Sequence, residues 1–199
     1  MREVYIVVDV EASGPTPGQY ALLSIGACTV EDLRQTFPPY KGKRSGTFYV
    51  ELQPDRDAFT REAMSVNQLS LDRLTAEGLP PADAMQKFAD WVKGVVPEDA
   101  RPVFTAFNAP FDWMFVNEYF YRYLGHNPFG HAALDIKAYY MGLHGVPWEE
   151  TSYQEISNRY LEKHRLSHHA LDDAIDEAEI VQALLIRRES DGERHKSTE

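Results

Sequence analysis

Apolar and polar residues follow two rhythms along this chain, strand-like at first and helical later. Met1–Glu11 carries the β-branched run Val4, Ile6, Val7, Val8 and Val10, which predicts a strand. The turn cluster Gly14-Pro15-Thr16-Pro17-Gly18 follows, then a second apolar run at Leu22–Val30, so the two runs are expected to form a hairpin. A third strand is expected at about Thr47–Leu52, ending at Pro54. Ala82–Val95 places Met85, Phe88, Ala89 and Val92 at helical spacing, with Pro81 before it. Pro102–Phe107 reads as a short apolar strand. Asn108 then has the place of an N-cap, with Pro110 in the first turn of a helix running to about Leu124.

Leu134–Leu143 and Ser152–Lys163 are weaker helical stretches, and Ala170–Arg188 is the best defined helix. From Glu189 onward the chain is polar and charged, which predicts a flexible tail on one domain spanning 1–188. Three strands, a crossover and alternating elements give an α/β sheet packed by helices. The last helix also has a phase. Placing its core stripe on Leu171, Ala174, Ala178, Val181 and Leu185 leaves Asp172 nearly opposite the core. Asp173 falls at the margin of the buried stripe, where a carboxylate needs a partner. Glu177 lies one turn further on, also toward the core, where a salt bridge or a supporting contact is the default.

Composition narrows the partners. Twenty Lys and Arg against 31 Asp and Glu leave a net charge of −11, which argues against broad, sequence-independent duplex binding. Divalent ions can still bring positive charge to a phosphate locally. The single cysteine, Cys28, rules out an intramolecular disulfide framework and fits a reducing cytoplasm. No apolar run is long enough to span a membrane, and the N-terminus shows no secretion signal.

The chemistry begins where the first strand ends. Asp9 and Glu11 are one residue apart on a strand, so they point the same way, about 6–7 Å apart. Two anions held side by side repel and lose hydration, an arrangement a hard cation relieves. A second acidic position is Asp112, in the first turn of a helix after Phe107-Asn108-Ala109-Pro110-Phe111. The helix dipole alone accounts for an acid there. The third is His168-His169-Ala170-Leu171-Asp172-Asp173, opening the last helix.

Together these motifs resemble the DEDD exonuclease superfamily, histidine subtype, over about residues 4–188 and in the right order. Asp9-x-Glu11, Asn108-x-x-x-Asp112 and His168-x-Ala170-x-x-Asp173 carry the resemblance, with Leu23-Ser24-Ile25-Gly26-Ala27 on the second strand. It implies a ribonuclease H-like fold, a five-stranded mixed sheet flanked by helices. It also implies metal ligands Asp9, Glu11, Asp112 and Asp173, with His168 as general base and Glu11 in the catalytic set. One departure is Phe107, where several members carry a histidine.

The charges support that chemistry. Four carboxylates balance two divalent cations, and oxygen-only ligands favour Mg²⁺ or Mn²⁺ over Zn²⁺. Two such ions, about 3.5–4 Å apart, serve both ends of an in-line displacement. Imidazole, with an ordinary pKa of about 6.5, is neutral at working pH and still accepts a proton. The backbone of Ala12, Ser13 and Gly14 is expected to hold the terminal 3′-hydroxyl, with Gly14 allowing close approach of a sugar and Asn108 as a further substrate contact. Family members bind the 3′-terminal nucleotide there, which implies 3′→5′ removal of nucleoside 5′-monophosphates. Phe107, Phe111, Trp113 and Tyr20 are candidates to stack on bases, with core packing the favoured role for Phe111.

Three functions fit the residues: a 3′→5′ exonuclease on single-stranded DNA or RNA ends, a phosphodiesterase for very short oligonucleotides, and a non-catalytic binding module on the same fold. The first is the expectation, because a module that had lost catalysis would be expected to lose a metal carboxylate and all four are present. Many relatives dimerise, so a homodimer is compatible with the resemblance.

Overall fold

The strand that opens the sequence, β1 (Arg2–Ala12), lies at the centre of the sheet. In the computed structural model, which describes residues 2–30, 46–161 and 167–196, five strands run in the order β3-β2-β1-β4-β5. β2 (Leu22–Thr29) pairs antiparallel with β1, and β3 (Thr47–Glu51) antiparallel with β2. β4 (Ala100–Ala106) and β5 (Ala133–Asp135) add parallel strands on the other side. The sheet is mixed and flanked by helices, as the sequence led us to expect.

Two features of the register position the chemistry. Asp9 stands opposite Gly26 and Glu11 opposite Ser24 on β2. On the other side, pairing with β4 stops at Val7 opposite Thr105, so the end of β1 runs on past β4.

The alternation of β1 sorts its side chains between two layers. Ile6, Val8 and Val10 face α3 (Pro81–Val95) and α4 (Pro110–Leu124), burying Met85, Phe88, Val92, Phe115 and Phe120 with them. Val7 faces the other way, with Cys28, into α5 (Ile136–His144), α6 (Tyr153–Tyr160) and α7 (Ala170–Lys196). Asp9 and Glu11 share the Val7 face. An apolar face thus turns acidic along one strand as it emerges beyond β4.

On α7, Ala174, Ala178, Ile180, Val181 and Leu184 are buried against that face. Each fully buried Val, Leu or Ile side chain contributes about 1.5–3 kcal/mol, so packing anchors this helix. Its start comes very close to the sheet. A Cβ on Gly26 would stand 2.1 Å from the carbonyl carbon of Ala170, itself fully buried. A glycine on β2 and a small residue at the first helical position are what this approach requires.

Several expectations change. The stretch from Leu134 opens as the last residues of β5, and α5 begins only at Ile136, capped by Asp135. α1 (Arg61–Asn67) and α2 (Leu71–Glu77) were not expected at all. Each begins at a hydroxyl N-cap: Thr60 accepts from the Ala63 amide and Ser70 from the Arg73 amide. α7 continues through Lys196, so the polar segment from Glu189 is helical rather than a tail up to that point. An established helix extends at one hydrogen bond per residue, and no proline stops it. α6 ends at Tyr160; the final residues of the stretch expected to reach Lys163 lie outside the described residues. Among the described residues, no helix is long and apolar enough to cross a membrane.

Candidate active site

Where β1 passes the end of β4, the Val10 amide has no ladder partner on that side, and Asp112 supplies one. Its Oδ1 accepts the Val10 N–H at 3.0 Å. This bond joins residues 102 apart in sequence and fixes the first turn of α4 against the strand carrying Asp9 and Glu11. Asp112 is buried, and burial raises its carboxyl well above the ordinary range. The Val10 hydrogen bond opposes that shift, and Glu11 and Asp135 add to it.

Asp9, Glu11 and Glu177 shift the same way. Burial raises Asp9 well above its ordinary value, assisted by Asp112, Glu177, Glu11 and Asp173. Glu11 is pushed up to about 8 by burial and by Asp173. Glu177, buried, is raised by burial and then by Asp112. Burial first, and the mutual repulsion of the anions after it, disfavour the charged forms of these carboxyls. A hard divalent cation would relieve that cost, and the donor set of carboxylate oxygens beside one imidazole suits it.

Asp173 and Asp172 separate as the helical phase requires. Asp173 is 2% exposed, whereas the Asp172 side chain is 66% exposed and pairs with His169 at 3.5 Å. The Asp173 carboxylate gathers the turn before α7. Oδ1 accepts the Ser167 amide at 2.7 Å and its hydroxyl at 2.9 Å, and Oδ2 accepts the His168 amide at 2.9 Å. His168 adopts φ +58°, a left-handed conformation uncommon outside glycine. Glu11, His168 and Asp173 each offer a ligand atom within 4.8 Å of the others, a group able to hold a metal ion. Asp9 and Asp112 adjoin this group and couple to it electrostatically.

The neighbouring His169 is outside that group. Its ring stacks on Tyr49 of β3 with centroids 4.6 Å apart, so it is a packed residue rather than a purely solvated one.

The segment after Glu11 departs from expectation. The Ser13 amide donates to the Ala21 carbonyl at 2.9 Å, so it is not available to a 3′-hydroxyl. Ser13 is a scaffold residue: its hydroxyl bonds Ala58 O and Ala21 N, and its carbonyl takes the Thr60 amide. Ala12 is buried, and its carbonyl accepts from Asn67 Nδ2 at 3.1 Å. The close approach at Gly14 is made by Tyr20, whose ring would lie 2.3 Å from an added Cβ. A sugar therefore cannot reach that face of Gly14. Loop pairing across the hairpin, invisible in a local motif, decides these three positions.

Asn108 is exposed at φ +59°, and no side-chain hydrogen bond of its own caps α4. Asn tolerates this conformation better than most residues. Asp135 performs the cap instead, accepting the Ala109 amide at 2.7 Å, and it also accepts the Ala138 amide at the start of α5. One carboxylate thus fastens two helix starts, a role that residue spacing did not disclose. Glu177 makes a supporting contact, one of the two roles expected of it, with a partner that spacing did not name: it accepts the Phe107 amide at 3.2 Å, tying α7 to the end of β4. The candidate stacking residues are mostly packed. Phe111 lies on Phe115, Trp113 meets Phe104 edge-on, and Phe107 meets Tyr153 edge-on.

Comparison with known proteins bears on this geometry. Residues 4–185 match the family described as the 3′-5′ exoribonuclease Rv2179c-like domain. The chain is 44% identical over 183 residues to the 3′-5′ DNA exonuclease Cap18 of Escherichia coli, covering 92% of each. Among solved structures it resembles the nuclease domain of 3′hExo, a DEDDh family member bound to rAMP. That match has a TM-score of 0.74 and 16% identity, covering 92% of this chain and 91% of that one. It also resembles E. coli Exonuclease I in complex with a dT13 oligonucleotide. Here the TM-score is 0.69 and the identity 16%, covering 94% of this chain and 41% of that one.

Proposed function

The chain belongs to the family of Rv2179c-like 3′-5′ exoribonuclease domains and is a 3′-5′ exonuclease, and from that premise we propose how its residues act. It removes nucleoside 5′-monophosphates from single-stranded 3′ ends, with Asp9, Glu11, Asp112 and Asp173 holding two divalent cations, Mg²⁺ or Mn²⁺. The observation that carries this reading is the meeting of Glu11, His168 and Asp173 within 4.8 Å at the end of β1. When bound, the cations supply charge neutralisation, acidification of the attacking water and stabilisation of the leaving 3′ oxygen.

The remaining work falls to the chain. His168 accepts the proton of the attacking water, a contribution of about 10²–10⁴-fold. Asp173 holds the His168 amide, so the base is tied to the same carboxylate that serves the metal site. Asp112 keeps β1 and α4 in register through Val10. Asn108, exposed at the start of α4, contacts the terminal nucleotide.

The relative named a DNA exonuclease supports DNA as substrate, and the family description supports RNA. Matched 5′-labelled DNA and RNA single strands, digested with Mg²⁺, rank the two. The expected pattern is progressive shortening from a free 3′-hydroxyl, with release of nucleoside 5′-monophosphates and resistance of a closed circle. Undiminished degradation in chelator, or cutting within a circle, overturns the reading.

A further inference from the structure

Phe59 leaves 54% of its surface in water, the largest share of any large apolar side chain among the described residues. Isolated apolar residues on a surface are ordinary. What sets this one apart is its mount. The residues on either side of it are both bonded to Ser13: the Ser13 hydroxyl donates to the Ala58 carbonyl at 2.8 Å, and the Thr60 amide donates to the Ser13 carbonyl at 2.8 Å. Ser13 stands two residues beyond Glu11, and Asn67, the last residue of α1, is bonded to the Ala12 carbonyl between them. The segment carrying Phe59 is therefore fastened to the continuation of the strand that carries Glu11.

Thr60 is extended, with φ −105° and ψ 142°, so the side chains of Phe59 and Arg61 leave the same side of the chain, about 6–7 Å apart. Arg61 is exposed and, among the described residues, makes no hydrogen bond or ion pair. Arg56, Arg73, Arg101 and Arg122, by contrast, each meet a carboxylate. In a chain of net charge −11, an arginine left open is available to an anion from outside. An apolar residue before a helix cap often packs on the fourth helical residue, here Met64, but that role needs neither an aromatic ring nor one more than half exposed. A ring and a guanidinium side by side on a fixed mount suit a single strand, whose bases stack on aromatic faces and whose phosphates pair with cations.

We propose that Phe59 and Arg61 hold the single strand close to its 3′ end, the ring stacked on a nucleobase and the guanidinium paired with a backbone phosphate. The proposal rests on the exonuclease reading and adds two substrate contacts to the same site.

Phe59→Leu, which keeps an apolar residue before the cap, tests the stack in digestion of 5′-labelled single strands by the full chain with Mg²⁺. KM should rise about tenfold with kcat unchanged, and Phe59→Trp should restore it. Arg61→Gln should raise KM and lessen the slope of log KM against log salt by about 0.7. An abasic deoxyribose-phosphate strand, added as a competitor, offers phosphates but nothing to stack. Its inhibition should be unchanged in Phe59→Leu and weaker in Arg61→Gln. Wild-type KM in Phe59→Leu, a loss confined to kcat, or weakened inhibition by the abasic strand in that variant overturns the stack. An unchanged salt slope in Arg61→Gln overturns the phosphate pairing. A wild type inactive on intact strands would instead count against the exonuclease reading, so the two failures are distinguishable.

Discussion

Asp112 and Val10 are joined by a hydrogen bond of 3.0 Å that makes one carboxylate both a strut and a member of the acidic site. The strut requires only an acceptor, whereas the site requires an anion.

Asp112→Asn should therefore separate the two roles. The amide oxygen still accepts from Val10, so urea unfolding should show stability equal to or above wild type, with a buried charge relieved. Nuclease activity should fall by several orders of magnitude. Asp112→Ala, which leaves the Val10 amide unmatched, should in addition lose about 1–3 kcal/mol. A stable, fully active Asp112→Ala would remove Asp112 from the site.

Close approach of α7 to β2 gives a second expectation. Gly26→Ala places a methyl group 2.1 Å from Ala170 backbone, which no rotamer can relieve. Helix α7 must move, carrying Asp173 and His168 with it. Overpacking of this kind costs about 1–3 kcal/mol or more, and calorimetry should show the loss together with weakened activity. Gly94 is the control: it lies in α3 with nothing within 4 Å of an added Cβ. Gly94→Ala should stabilise by about 0.5–1 kcal/mol and leave activity intact.

The raised carboxyls set a pH dependence. Glu11 is raised to about 8 by burial and Asp173, and Asp9 and Asp112 are raised too. A carboxyl raised in the folded state contributes stability that is complete below its unfolded value. That contribution is lost as pH rises through the folded value. Metal-free protein should thus lose stability progressively from about pH 4.5 to above pH 8. Mg²⁺ competes with the protons, so the rise in Tm on adding Mg²⁺ should grow between pH 6 and pH 9. Thermal melts with and without chelator across that range check the sign. A metal-induced shift that shrinks with pH would contradict it.

The adjacent histidines should part company. His168→Ala is expected to lose about 10²–10⁴-fold in turnover while metal-induced stabilisation persists. The acidic limb of the pH–rate profile should vanish with it. His169→Ala should keep most of its activity and lose about 0.5–1.5 kcal/mol, from the stack on Tyr49. The opposite ranking would reassign the base to His169, four residues before Asp173, and leave the carboxylates in place.

Much of the architecture was decided by local rhythm alone. Alternation along Val4–Val10 put Asp9 and Glu11 on one face, and the helical phase of Ala170–Leu185 buried Asp173 while exposing Asp172. These outcomes follow from periods of two and 3.6 residues, which any short window of sequence carries. Short helices α1 and α2 lacked a strong apolar stripe, although their caps, Thr60 and Ser70, were in view. Tertiary structure decided the rest. Asp135 fastens α4 in place of Asn108, Ser13 gives its amide to Ala21, and Glu177 reaches the amide of Phe107, 70 residues away. Each of these bonds answers a backbone group left unpaired where a strand or helix ends. Which side chain answers it depends on what the folded chain brings near, and no local period encodes that.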